Sequence, residues 1–174
     1  MRPLLVACVI AFSGALSGLT ASGVGAEVRT PGDGCLVVQN GFGVVTVNIT
    51  QGVVFGRVGA GVVTVEDTAV DDGKVARVKG AQTKTVIGNR TRYESESTIR
   101  FRASGPTKLT LNAQFINLSL VGRGVAILSA AGFTDVPGQD TNLFSYDAAS
   151  FCEDNFETLP AKPTRYMISS PEGQ

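Results

Sequence analysis

Four arginines fall close together in the chain, Arg90, Arg92, Arg100 and Arg102, with Tyr93 among them. Guanidinium groups on alternate positions of an extended segment project from one face. There each can grip a carboxylate, a phosphate or an acidic sugar through paired hydrogen bonds. The segment from Ile99 to Arg102 has this alternation, with Ile99 and Phe101 on one face and Arg100 and Arg102 on the other. These four arginines and Tyr93 form the candidate ligand-binding set. The plainer account pairs the arginines with Glu94 and Glu96 on a neighbouring segment, which leaves only a solvated strand face. Arg57 and Arg123 each follow a glycine in a turn, where they are expected to brace the turn or a sheet edge through carbonyl contacts.

Other chemistry is limited by what the chain lacks. It has no histidine, so neither a Ser-His-Asp nor a Cys-His arrangement can form. Two carboxylates could still act on a glycosidic bond. The acids cluster as Glu66-Asp67, Asp71-Asp72, Glu94 with Glu96, and Glu153-Asp154, and no spacing picks out an acid and a nucleophile. No catalytic residue is assigned. The segment EDTAVDDG lacks the alternating acidic spacing of a dedicated calcium loop, and two thiolates without histidine fall short of a zinc set. No metal or cofactor is expected. The glycine-rich run from Gly56 to Gly61 leads into valines rather than a helix start, so it reads as tight turns and not as a phosphate loop.

The elements that must position these residues begin after an export signal. Arg2, the apolar run from Leu4 to Leu19 and the small residues Val24-Gly25-Ala26 read as a secretory signal peptide over residues 1–26. Leu5-Val6-Ala7-Cys8 resembles a lipoprotein cleavage box but lies too near the start. With the signal removed, no membrane span is expected. The leader 27–34 precedes a single domain over 35–170. Of 15 basic and 15 acidic residues only Arg2 leaves with the signal, so the mature chain is nearly neutral and offers no general attraction for nucleic acid. Two cysteines remain, Cys35 and Cys152, and an even pair in an exported chain reads as a disulfide. Asn48, Asn89 and Asn117 open glycosylation sequons, which matter only in a host that uses them.

Residues 36–66 carry the pentapeptide Gly-Val-Val-Thr-Val twice, at 43–47 and 61–65. Valine-rich runs near 36–39, 44–49, 53–55 and 62–65 predict four strands, and their short connections predict an antiparallel meander. Weaker strands are expected near 74–79 and 84–87, a loop over 89–95, and strands at 98–102, 108–114, 115–121 and 125–128. Residues 131–163 show no sustained period, and 165–168 suits a last strand. Lys108 to Asn112 echoes Val44 to Asn48, and Gly122-Arg123 echoes Gly56-Arg57. Two related four-strand meanders would bury one face each by packing together. The expected fold is therefore all-β, a two-sheet antiparallel sandwich or flattened barrel. A β-solenoid is the alternative, although its repeats would be shorter and more regular.

Several motifs form a recognisable series: Asn40-Gly41, Gly43 to Val47, Gly56-Arg57, Ile99 to Arg102 and Val121 to Gly124. Over about residues 35–130 the chain resembles an uncharacterised family of small secreted, chiefly actinobacterial, β-rich proteins. The resemblance implies bacterial export and a β-rich fold, and it brings no activity and no site residues. The longer tail with Cys152 departs from the family pattern. Together these readings point to an exported, non-enzymatic structural or binding module of the cell envelope or extracellular space. Its partner would be a glycan or another envelope component. The alternatives are a hydrolase acting on envelope polysaccharide through paired carboxylates, and a carrier of a small apolar ligand between the sheets.

Overall fold

Alternation in the sequence carries over into burial. Val45, Val47 and Ile49 are buried, while Val44 and Asn48, on the alternate positions, are partly or fully exposed. Leu109, Leu111 and Ala113 face the core, as do Ile99 and Phe101 on the strand that turns Arg100 and Arg102 outward. The computed structural model describes residues 33–68, 73, 75–131, 141–148, 152 and 155–169. The expected signal peptide, Cys8, the expected leader up to residue 32, Asp71, Asp72, Glu153 and Asp154 lie outside the described residues.

Two long strands dominate: β1 (Gly34–Val58) and β7 (Thr107–Ala130). Shorter ones are β2 (Gly61–Asp67), β3 (Arg77–Lys79), β4 (Thr83–Ile87), β5 (Arg90–Ser95), β6 (Ile99–Ser104), β8 (Leu143–Asp147), β9 (Glu157–Thr158) and β10 (Thr164–Ile168). All are hydrogen-bonded into one antiparallel sheet that curls into a half-barrel, and no helix occurs among the described residues. The chain is all-β. Residues 89–95, expected as a loop, instead form β5, paired with β2 on one side and β4 on the other. The expected irregular stretch 131–163 contains β8, which pairs with the start of β1, and the short β9.

The expected meander does not form. Successive runs of β1 pair not with one another but with runs of β7. Residues 34–38 lie against 118–122, residues 43–49 against both 107–113 and 124–130, and residues 51–57 against 117–123. Val45, for example, has Leu111 on one side and Leu128 on the other. The cause lies in the connections. A two-residue hairpin at Asn40-Gly41 needs positive φ at both residues. Asn40 has φ 48°, but Gly41 is not among the positive-φ residues, so the chain bends there without reversing. At the next bend Gly52 (φ 114°) sits opposite Gly122 (φ 145°). A β-carbon on Gly52 would overlap the Val121 carbonyl oxygen, and one on Gly122 would overlap that of Gln51. Only glycine permits this approach.

The interior is one contiguous apolar cluster, with Leu36, Val47, Leu109, Leu120 and Leu128 at most 1% exposed. A disulfide joins Cys35, near the start of β1, to Cys152, 117 positions later.

Candidate anion-binding site

Strand β6 reads Ile-Arg-Phe-Arg-Ala-Ser. Its apolar residues enter the core, which obliges Arg100 and Arg102 to stand on the outer face. The neighbours of β6 do the same. On one side Arg57 lies directly opposite Arg100, and Phe55 opposite Arg102. On the other side Lys79 lies opposite Arg100, and Arg77 opposite Arg102. The result is a grid of two rows on three adjacent strands, Arg57–Arg100–Lys79 and Phe55–Arg102–Arg77. Adjacent columns are about 4.8 Å apart and the rows about 6.6 Å apart. All five cations are exposed, and Phe55 is 51% exposed. None of the five has an ion-pair or hydrogen-bond partner among the described residues.

One column further on, β7 contributes neutral polar groups. Ser119 lies opposite Phe55, and Asn117 opposite Arg57. A groove of about 410 Å³ follows this border, lined by Gln39, Phe55, Arg57, Arg100, Asn117 and Ser119 among others. The Asn117 side chain is held in place. Its Nδ2 donates to the Phe115 carbonyl, and its Oδ1 accepts from the Asn40 N–H.

The rest of the surface handles charge differently. Glu66 lies opposite Arg90 on one side and Lys108 on the other. Its carboxylate is 3.1 Å from the Arg90 guanidinium and 3.5 Å from the Lys108 ammonium. The hydrogen bond from Arg90, together with the charges of Lys108 and Arg90, holds the Glu66 carboxyl below its ordinary value against the opposing effect of burial. Arg92 is paired with Glu94 at 3.1 Å. Arg123, the counterpart of Arg57 in the sequence echo, directs its Nε to the buried Asp33 carboxylate at 3.1 Å. Its expected bracing role thus falls to a carboxylate contact, while Arg57 makes no such contact among the described residues.

The five residues singled out in the sequence therefore separate. Arg90 and Arg92 are on β5, whose partners are β2 and β4, and both are spent in ion pairs. Ion pairing of the plainer kind therefore occurs at both, but only Arg92 takes an expected partner, Glu94, and that on its own strand, whereas Arg90 pairs with Glu66. Tyr93, next to Arg92, lies on the opposite face of β5, packed against the core with the Lys84 ammonium 5.8 Å from its ring centre. Arg100 and Arg102 are on β6, in a different part of the sheet, and gain Arg57, Arg77 and Lys79 as neighbours. Sequence reasoning missed these three. The signal was present in Arg77-Val78-Lys79, which alternates as Arg100-Phe101-Arg102 does.

A separate cleft of about 540 Å³ brings Glu94 and Glu96 together with Gln82, Asn112 and Gln114. Both carboxylates are exposed, and Glu94 is engaged by Arg92. Compared with known proteins, the chain matches no protein-family model, no curated protein and no solved structure.

Proposed function

We propose that this chain is an exported, non-catalytic binding module that recognises anionic partners of the cell envelope or extracellular space through the outer face of β3, β6 and residues 53–57 of β1. The single observation that carries this reading is the set of five cations held in register on three neighbouring strands, unpartnered among the described residues. Like charges directly across a ladder destabilise a sheet. The same protein avoids that arrangement at Arg90–Glu66–Lys108 and neutralises Arg123 with Asp33. A face that keeps the cost is explained by a partner that supplies the missing negative charge. The Cys35–Cys152 disulfide is consistent with an extracytoplasmic location and supports export.

The scaffold for this face is a two-layer sandwich. One layer runs β8, 34–41, 116–122, 51–58, β6, β3. The other runs β4, β5, β2, 107–113, 43–49, 124–130, β10. The pairings support this order, with β1 and β7 each passing between layers at their bends. They also support an internal duplication whose halves interdigitate. Thr46 and Thr110, 64 positions apart and equivalent in the echo, lie directly opposite each other, with hydroxyls 3.4 Å apart. The contiguous apolar cluster favours this module over a ligand carrier.

Calorimetric titration of the mature chain with inorganic polyphosphate and with polygalacturonate tests the reading. At least one of the two should bind, more weakly as salt rises. Arg100→Ala/Arg102→Ala should lose about tenfold or more in affinity, and Arg90→Ala/Arg92→Ala should not. Failure of both polymers to bind, or equal loss in the two double variants, would sink it.

A further inference from the structure

The layout of the cationic face narrows the ligand, and the narrowing rests on the anion-binding reading. A row such as Arg57–Arg100–Lys79 spans roughly 10 Å between its outer strands, about the length of a disaccharide. Its donors stand exposed in separate columns, and of the five cations only Arg57 and Arg100 line the groove. A single small anion could meet only one or two of them, whereas a chain with a charge on successive units meets a whole row. Four of the five cations are arginines, whose planar forks match carboxylates in pairs of hydrogen bonds.

Phe55 is the discriminating residue. It occupies the sixth place of the grid, half exposed, with Arg57 beside it on its own strand and Arg102 directly opposite. A site for polyphosphate has no use for an apolar ring there. The C–H face of a sugar does, because it can lie flat on an aromatic ring. Asn117 and Ser119 in the next column add neutral hydrogen-bonding groups of the kind that sugar hydroxyls take. Single-stranded nucleic acid would call for aromatic platforms under successive bases, and the grid holds one exposed ring.

We infer that the face formed by Phe55, Arg57, Arg77, Lys79, Arg100 and Arg102 binds an acidic polysaccharide, a carboxylate-bearing sugar chain at least two units long. The chain lies across the strands, with a sugar ring against Phe55 and its carboxylates on the arginines.

The test titrates the mature chain with tetragalacturonate, galacturonic acid, maltotetraose and inorganic polyphosphate. Tetragalacturonate should bind at least about tenfold more tightly than the monomer, and maltotetraose should not bind detectably. Arg100→Ala/Arg102→Ala should weaken tetragalacturonate binding about tenfold or more. Phe55→Ala should weaken it about fivefold or more while leaving any polyphosphate affinity unchanged. Thermal melts of the variants establish that they remain folded. If polyphosphate binds through Arg100 and Arg102 while tetragalacturonate does not, the sugar assignment falls and anion binding stands. The sugar assignment also falls if Phe55→Ala leaves tetragalacturonate affinity intact, or if the monomer binds as tightly as the tetramer. If neither polymer binds, both readings fall.

Discussion

Arg100 has an arginine directly across one ladder and a lysine directly across the other. Like charges on both neighbouring strands, whose backbones are about 5 Å away, oppose folding, although solvent screening keeps the effect modest. Replacing Arg100 with glutamate reverses both. Arg100→Glu should therefore raise stability by about 0.5–1 kcal/mol, equal to a few degrees in Tm, and the gain should shrink in high salt. The same substitution should abolish anion binding. A thermal melt at low and high salt, set beside the titration, checks both halves. A variant that is less stable than the parent would mean that Arg100 has a favourable partner and that the cost argument is wrong. At this scale part of the site was legible. The outward direction of Arg100 and Arg102 follows from the apolar partners Ile99 and Phe101 on their own strand. That Arg57, Arg77 and Lys79 join them depends on which strands β6 pairs with, and no local pattern encodes that. Tyr93 misleads for the same reason that the arginines inform. Alternation turns it to the face opposite Arg92.

Strand positions were read more faithfully than strand partners. The valine-rich runs of β1 and the alternation at Leu109, Leu111 and Ala113 fix which residues are strand and which face is buried. Pairing turns instead on the bends, where Asn40-Gly41 resembles a hairpin but only one of its two residues takes positive φ. The break between 114 and 116 in β7 falls where the sequence puts it, although no glycine marks it. Phe115 itself adopts φ 52°, an unusual backbone state for an aromatic residue. β5 was missed because its residues are polar on one face and only partly apolar on the other. A strand whose outer face is all charge looks like a loop until its neighbours are known. The decisive bend is the facing pair Gly52 and Gly122. Gly122→Ala would force a β-carbon into the Gln51 carbonyl at φ 145°. It should destabilise the domain by about 2–4 kcal/mol, read from chemical denaturation. The contrasting substitution is Gly88→Ala in the β4–β5 turn, where no atom lies within 4 Å of the added carbon. There only backbone strain at φ 60° applies, and the cost should be near ~1 kcal/mol.

For the whole molecule, the interleaving of β1 and β7 makes nearly every strand contact one between distant parts of the chain. Such a fold gains little from local structure and must meet a large loop-closure cost. The Cys35–Cys152 bond offsets part of that cost, because it closes a loop across a separation of 117 positions. In the chain-entropy account a loop of this length stabilises the native state by about 4–5 kcal/mol. Cys35→Ser/Cys152→Ser, or reduction of the parent, should therefore lower the denaturation free energy by an amount of that order. Cys35 lies on the run 34–38, which is separated from 53–57 and the cationic grid by the run 117–121 of β7. At a temperature where the reduced protein remains folded, its affinity for the anionic polymer should match that of the oxidised protein. Near-ultraviolet circular dichroism and titration on the same reduced sample separate the two effects. Lost binding with intact tertiary signal would shift the ligand face toward β8 and the start of β1. Lost stability with intact binding is the outcome expected if the disulfide serves the scaffold and the arginine face serves the partner.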